Sequence, residues 1–273
     1  MVERITLDHV ALASHHVWDQ IYRYGFQLGA RWMGGPDDYE RGDENDFYFA
    51  QMELEGGTKL EFLEPLSGPE SDFVRRFLDR NGPGPHHMTF KVPSLDDAIA
   101  AAEADGYEVV GVNKENEGWQ EAFLHPKSSH GIVVQLACQG GGSDGEGWES
   151  ATALPPALRR SRPVMEKVVH LVADLDAATR LFSGPLAMAV EAKGTNDLGQ
   201  FAHLTDGPWL LELLTPTVGS DAAHWMGTRT GRLLHLQMRV SDPGNVPGAT
   251  PVGDGTYELR PEINQGTRVL LVP

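Results

Sequence analysis

The sequence has a single cysteine, Cys138, in 273 residues. No internal disulfide can form, and a reducing cytoplasm is the expected compartment. Positive charge is also in short supply, with a formal net charge of −17. Binding of nucleic-acid phosphates needs a basic face, so nucleic acid is not an expected partner, although a local basic mouth for a phosphorylated ligand stays open. No apolar run approaches the ~18–20 residues of a membrane span, so no membrane partner is expected. The opening residues MVERITLDHVAL place acidic side chains early, with no separate apolar stretch before a cleavage site. They do not read as a signal peptide. The acidic excess itself reads as solubility.

What the chain does have is a repeat. At 40% hydrophobic and 22% charged it has the composition of a globular protein, long enough for two ordinary domains. Residues 139–163, rich in Gly, Ser and Pro, break the pattern and divide it into 1–138 and 164–273. In the first half, "ITLDHVALAS" is an alternating strand followed by a helix over 16–28 and by strands "ARWMGG", "DFYFAQMEL" and "TKLEFLEPL". "HHMTFKV" starts the same order again. Its helix is bounded by Ser94 as N-cap, Asp96 and Asp97 in the first turn, and Gly106 as stop. The strands "YEVVGV", "WQEAFLHP" and "GIVVQLAC" complete it. The second half repeats the scheme more loosely: "MEKVVHLVAD" answers "ERITLDHVALAS", "WLLELLTP" answers "KLEFLEPL" and "RLLHLQMRV" answers "PHHMTFKV". "SDPGNVPGATPVGDG" holds too much Pro and Gly for the fourth unit's helix. The fold class expected is α+β: four tandem βαβββ units, the last degenerate, paired into two cupped sheets.

Polar residues recur at matched places. First strands carry His9, His87, His170 and His235; last strands carry Glu61, Gln135, Glu212 and Leu270. Neighbours in a strand point to opposite faces, so Val10, Leu12, Leu60 and Phe62 pack under helices while His9 and Glu61 face the concavity. The same parity puts His87 in register with His9 and turns His86 away. Two imidazoles, a carboxylate and an amide oxygen suit a borderline divalent ion.

These motifs, "LDHVAL", "TKLEFLEPL", "GPGPHHMTFKV" and "AFLHPKSSHGIVVQL", resemble the vicinal oxygen chelate superfamily, which spans glyoxalase, bleomycin-resistance and extradiol dioxygenase proteins. Residues 5–137 look most like its methylmalonyl-CoA epimerase branch. The resemblance implies a metal site (Co, Mn, Fe, Ni or Zn) on His9, Glu61, His87 and Gln135. It implies catalytic roles for Glu61 and Gln135, and a small-molecule substrate, with an acyl-CoA thioester as one candidate. It leaves a homodimer open. The implied activity is epimerisation or isomerisation through an enolate. Extradiol ring cleavage, glyoxalase-like lyase chemistry and non-catalytic small-molecule binding are the alternatives. The family's usual glutamate at the last-strand position is Gln135 here, which keeps an oxygen for metal but cannot accept a proton. The second half keeps His170, Glu212 and His235 with Leu270 fourth, and is read as a degenerate half.

Weaker candidates are Glu64, expected at solvent or a dimer face, Lys91 lining the cup, and Tyr48 as an orienting hydroxyl. His125 and Lys127 are expected in a polar turn, Cys138 is an inert thiol, and the glycines at 140–142 belong to the linker.

Overall fold

The computed structural model describes residues 4–35, 47–66, 73–116, 118–138 and 161–273. The first sheet is built from β1 (Thr6–Ala13), β2 (Arg31–Gly34), β3 (Phe47–Glu53), β4 (Lys59–Pro65), β5 (Gly84–Lys91), β6 (Val109–Asn113), β7 (Gln120–Leu124) and β8 (Val133–Cys138). Its order is β2-β3-β4-β1-β5-β8-β7-β6. The second sheet contains β9 (Val164–Val172), β10 (Ala189–Asn196), β11 (Gly199–Thr205), β12 (Leu210–Pro216), β13 (Gly231–Arg239), β14 (Thr250–Gly253), β15 (Thr256–Leu259) and β16 (Val269–Val272). Its order, β10-β11-β12-β9-β13-β16-β15-β14, is the same arrangement again. Each unit returns its last strand, in parallel, beside its first: β4 to β1, β8 to β5, β12 to β9 and β16 to β13. The α+β fold of two mixed eight-stranded sheets is the one the repeat predicts. Among the described residues no helix is long and apolar enough to cross a membrane.

The helices follow local rules with two departures. Helix α3 (Leu95–Ala104) is capped by Ser94, whose side chain accepts from the Asp97 N–H, and Gly106 takes φ +86° just beyond its end. The expected helix over 16–28 begins as α1 (Val17–Gln20) and continues as a π-helical segment (Ile21–Gln27). The third unit has its helix α4 (Leu175–Ser183), while the fourth has in that place a 3₁₀ turn at Pro243–Asn245. Two helices were not foreseen: α2 (Phe73–Asn81) and α5 (Asp221–Met226). Helix α2 buries Val74 and Leu78 against Ala11, Ala13 and Leu63, which share the face of His9 and Glu61. Helix α5 sets Ala222 against Val169, Leu171 and Leu214, with Leu234 completing the cluster. Part of that face in each sheet is thus covered by a helix. Of the expected linker, residues 139–160, with the glycines at 140–142, lie outside the described residues. Arg162 pairs with Glu53 and Glu55, and the Glu55 N–H donates to the Pro163 carbonyl at 2.9 Å.

By contacts the described chain forms two compact units, each drawing on both sheets. Among the described residues, one takes those of 4–8, 87–138 and 166–235; the other takes those of 9–86, 161–165 and 236–273. Inside the first, Phe90 of β5 packs on Phe182 of α4, ring centroids 6.2 Å apart, and Gly131 lies against Gly231 so tightly that a Cβ would stand 2.1 Å from the Gly231 carbonyl oxygen. Inside the second, Tyr24 stacks on Phe62 at 5.3 Å and accepts a hydrogen bond from Asn264. Gly266 there approaches Pro83 in the same manner, with 1.8 Å between its virtual Cβ and the Pro83 oxygen. Only glycine fits at these crossings.

Candidate metal centre

Strand β1 presents His9, and β4 presents Glu61. The register pairs Ala11 with Glu61 and His9 with Lys59, so the histidine and the acid share one face two residues apart. The His9 Nε2 stands 3.4 Å from the Glu61 Oε2. Glu61 Oε1 accepts from Gln51 Nε2 at 3.0 Å, Gln51 being its cross-strand partner on β3. With His87 of β5, these two form a set whose ligand atoms all lie within 4.8 Å of one another. His9 is 1% and His87 5% exposed, and the Glu61 side chain 13%. Two buried imidazoles beside a partly accessible carboxylate are a donor set for a borderline divalent cation, so the residues fit such an ion.

Gln135 sits on the same strand pair as His87, opposite Thr89, two residues along β5. Its amide is tied at both ends. Thr89 donates its hydroxyl to Gln135 Oε1, and Gln135 Nε2 donates to Glu121 Oε2 at 2.6 Å. Glu121 Oε2 also accepts from Trp119 Nε1 at 3.0 Å. A carboxylate only accepts, so this network sets the amide with its nitrogen toward Glu121. Gln51, Thr89, Trp119 and Glu121 were not anticipated from sequence. The signal that finds them is strand parity with Glu61 and Gln135, applied to the neighbouring strands as well as to the first and last.

The remaining candidates divide, and Glu64 needs correction. His86 has the opposite parity to His87 and stays out of the cluster, but it packs against α2, its ring 4.7 Å from that of Phe77 and 5.4 Å from Phe73. Burial pushes its pKa down to about 4, opposed by the nearby Glu61 charge. Glu64 does not face solvent: it is buried, and its Oε2 accepts from the Val17 N–H at 2.7 Å, satisfying a free donor at the start of α1. Tyr48 pairs with Glu64 and so lies on the sheet face opposite Glu61. Lys91 Nζ is 3.4 Å from Asp8 and lies over the Trp119 ring at 5.7 Å. His125 and Lys127 form the expected turn, the Lys127 N–H donating to His125 Nδ1.

In the second sheet Glu212 pairs with Val169, whereas His170 pairs with Leu213. His170 is therefore on the other face from Glu212. It is fully buried, and its Nε2 shares a hydrogen bond with the His130 carbonyl at 2.8 Å. Burial pushes its pKa down to about 4. His170 does not join Glu212 on one face, in keeping with the degenerate second half read from the sequence. The residue two before the partner of the acid is His9 in the first sheet and Lys167 in the second.

Residues 8–123 match the profile of the Glyoxalase/Bleomycin resistance protein/Dioxygenase superfamily. An uncharacterised protein, YqjC, of Bacillus subtilis (strain 168) is 27% identical over 136 residues, 48% of this chain and 89% of that protein. The mitochondrial methylmalonyl-CoA epimerase of Dictyostelium discoideum is 29% identical over 133 residues, 48% of this chain and 76% of that protein. A hypothetical protein from Staphylococcus aureus of known structure is 10% identical and matches the fold over 100% of both chains, with a TM-score of 0.61.

Proposed function

From the premise that residues 8–123 carry a domain of the Glyoxalase/Bleomycin resistance protein/Dioxygenase superfamily, we propose that this protein is a metal-dependent enzyme of methylmalonyl-CoA epimerase type. The ligands are His9, Glu61 and His87, with Gln135 Oε1 as fourth donor. The observation that carries this is the convergence of the first three within 4.8 Å. The relative from Dictyostelium discoideum supports the substrate class, a carboxylic acid or its acyl-CoA thioester. A divalent ion held there supplies positive charge to an anion developing beside a substrate carbonyl.

The chain's own groups divide the remaining tasks. Gln135 holds an oxygen at the site, oriented by Thr89 and Glu121, and moves no proton. Proton transfer falls to a carboxylate, and two share this sheet face: Glu61, steadied by Gln51, and Glu121, steadied by Trp119. The test is deuterium exchange at C2 of methylmalonyl-CoA in heavy water by protein purified without chelators. Metal-dependent exchange supports the reading. Absence of exchange with metal bound moves the substrate away from acyl-CoA thioesters.

One observation favours a second reading. With the Gln135 amide committed to Thr89 and Glu121, the converging set is two histidines and one carboxylate, the set used by Fe(II) oxygenases. Iron content and oxygen uptake with catechols distinguish it.

A further inference from the structure

The second sheet holds a counterpart of the candidate centre, and its register can be read position by position. Acid positions correspond: Glu61 pairs with Ala11, and Glu212 with Val169. Two residues earlier stand His9 and Lys167. Cross-strand partners of the acids are Gln51 and His203. On the other unit of each sheet, Thr89 pairs with Gln135 and Gln237 with Leu270, which makes His235 the counterpart of His87. Two of four donor places are kept, by Glu212 and His235; one is apolar, Leu270; and one is cationic, Lys167.

The Lys167 Nζ lies 3.0 Å from Glu212 Oε2, and His203 Nε2 lies 2.9 Å from the same oxygen. The Glu212 side chain is 7% exposed and that of Lys167 27%. A buried carboxylate is stabilised by a positive partner or by hydrogen bonds, and Glu212 has both. In the first sheet the neighbours of the acid include Gln51 and, in the donor set read as a metal centre, His9 and His87. In the second, an ammonium is covalently in place.

We propose that the Lys167 ammonium is the resident cation of the second sheet, substituting for a metal ion at the counterpart of the candidate centre, beside Glu212 and His203. Lys167 is what keeps metal out. An ammonium has no lone pair to offer as a ligand, and this one already pairs with the acid at 3.0 Å. The analogy rests on reading His9, Glu61 and His87 as metal ligands, but the test does not.

The test is metal titration, with Zn²⁺ or Co²⁺ alone, in a His9→Ala/His87→Ala background that silences the first site. The background protein should bind no tight equivalent. Adding Lys167→His should create one, absorbing in the visible with Co²⁺, and Glu212→Gln should abolish it. Lys167→Arg, which keeps the charge, should bind none. No binding by a folded Lys167→His variant overturns the proposal. So does a tight equivalent in the background protein that Glu212→Gln removes. If Lys167→His does not fold, that second comparison still decides. Failure of wild type to bind at His9, Glu61 and His87 overturns the first-site reading instead, and is measured separately.

Discussion

Gln135 donates through Nε2 to Glu121 Oε2 at 2.6 Å, so the last-strand amide is itself held by an acid one strand further out. That pairing changes what a restored carboxylate would do. Gln135→Glu alone places two carboxylates at hydrogen-bond distance, and like charges that close share a proton, one pKa rising well above the ordinary range. We expect the single variant to show a pH-dependent gain in methylmalonyl-CoA C2 exchange that falls as this proton is lost. Gln135→Glu combined with Glu121→Gln should hold its gain to higher pH. Exchange rates across pH 5–9 for wild type, single and double variants check this; identical profiles for single and double variants contradict it.

Thr89 orients the other end of the same amide. Thr89→Val keeps shape and removes the donor. Groups that orient a ligand typically account for about 10–100-fold in metal affinity, so a loss of that order is expected by calorimetric titration. An unchanged affinity would show that Gln135 is not a ligand.

Glu64 tests a purely structural assignment. Its carboxylate accepts from the Val17 N–H where α1 has no side-chain cap of its own. Glu64→Ala should cost about 1 kcal/mol, as loss of a helix cap does, read from the urea midpoint, with metal stoichiometry unchanged.

His170 gives the protein an acid-side weakness. Burial lowers its folded pKa to about 4 from the ordinary 6.5. The unfolded chain therefore binds the extra proton first. The stabilisation is complete above about pH 6.5 and is lost as pH falls toward 4, at about 1.4 kcal/mol for each unit of difference. His170→Leu should flatten urea stability between pH 6.5 and 4 relative to wild type.

These residues also show what the sequence discloses. Alternation in "LDHVAL" and "TKLEFLEP" is enough to put His9 and Glu61 on one face, and the Ser94 cap and Gly106 stop mark α3, because each rests on local geometry. The second half fails where register decides. "MEKVVHLV" offers Lys167 and His170, three residues apart, and an odd shift moves a side chain to the opposite face. Matching histidine with histidine selects the wrong one; matching through Glu212 selects Lys167. Helix α2 was missed although Val74, Phe77 and Leu78 have helical spacing, because the repeat gave no place for a helix between a last strand and the next first strand. Glu121 escaped notice because it lies on a strand outside the matched pair, where only pairing with β8 reveals its face.

The central claim is a metal ion on His9, Glu61 and His87, and elemental analysis of protein purified without chelators tests it most directly. The account predicts about one divalent ion per chain, lost in His9→Ala and in His87→Ala because the remaining donors cannot complete the shell, and retained in His86→Ala. Full occupancy in both His9→Ala and His87→Ala, or a wild-type protein that takes up no Co, Mn, Fe, Ni or Zn when each is supplied, would contradict it.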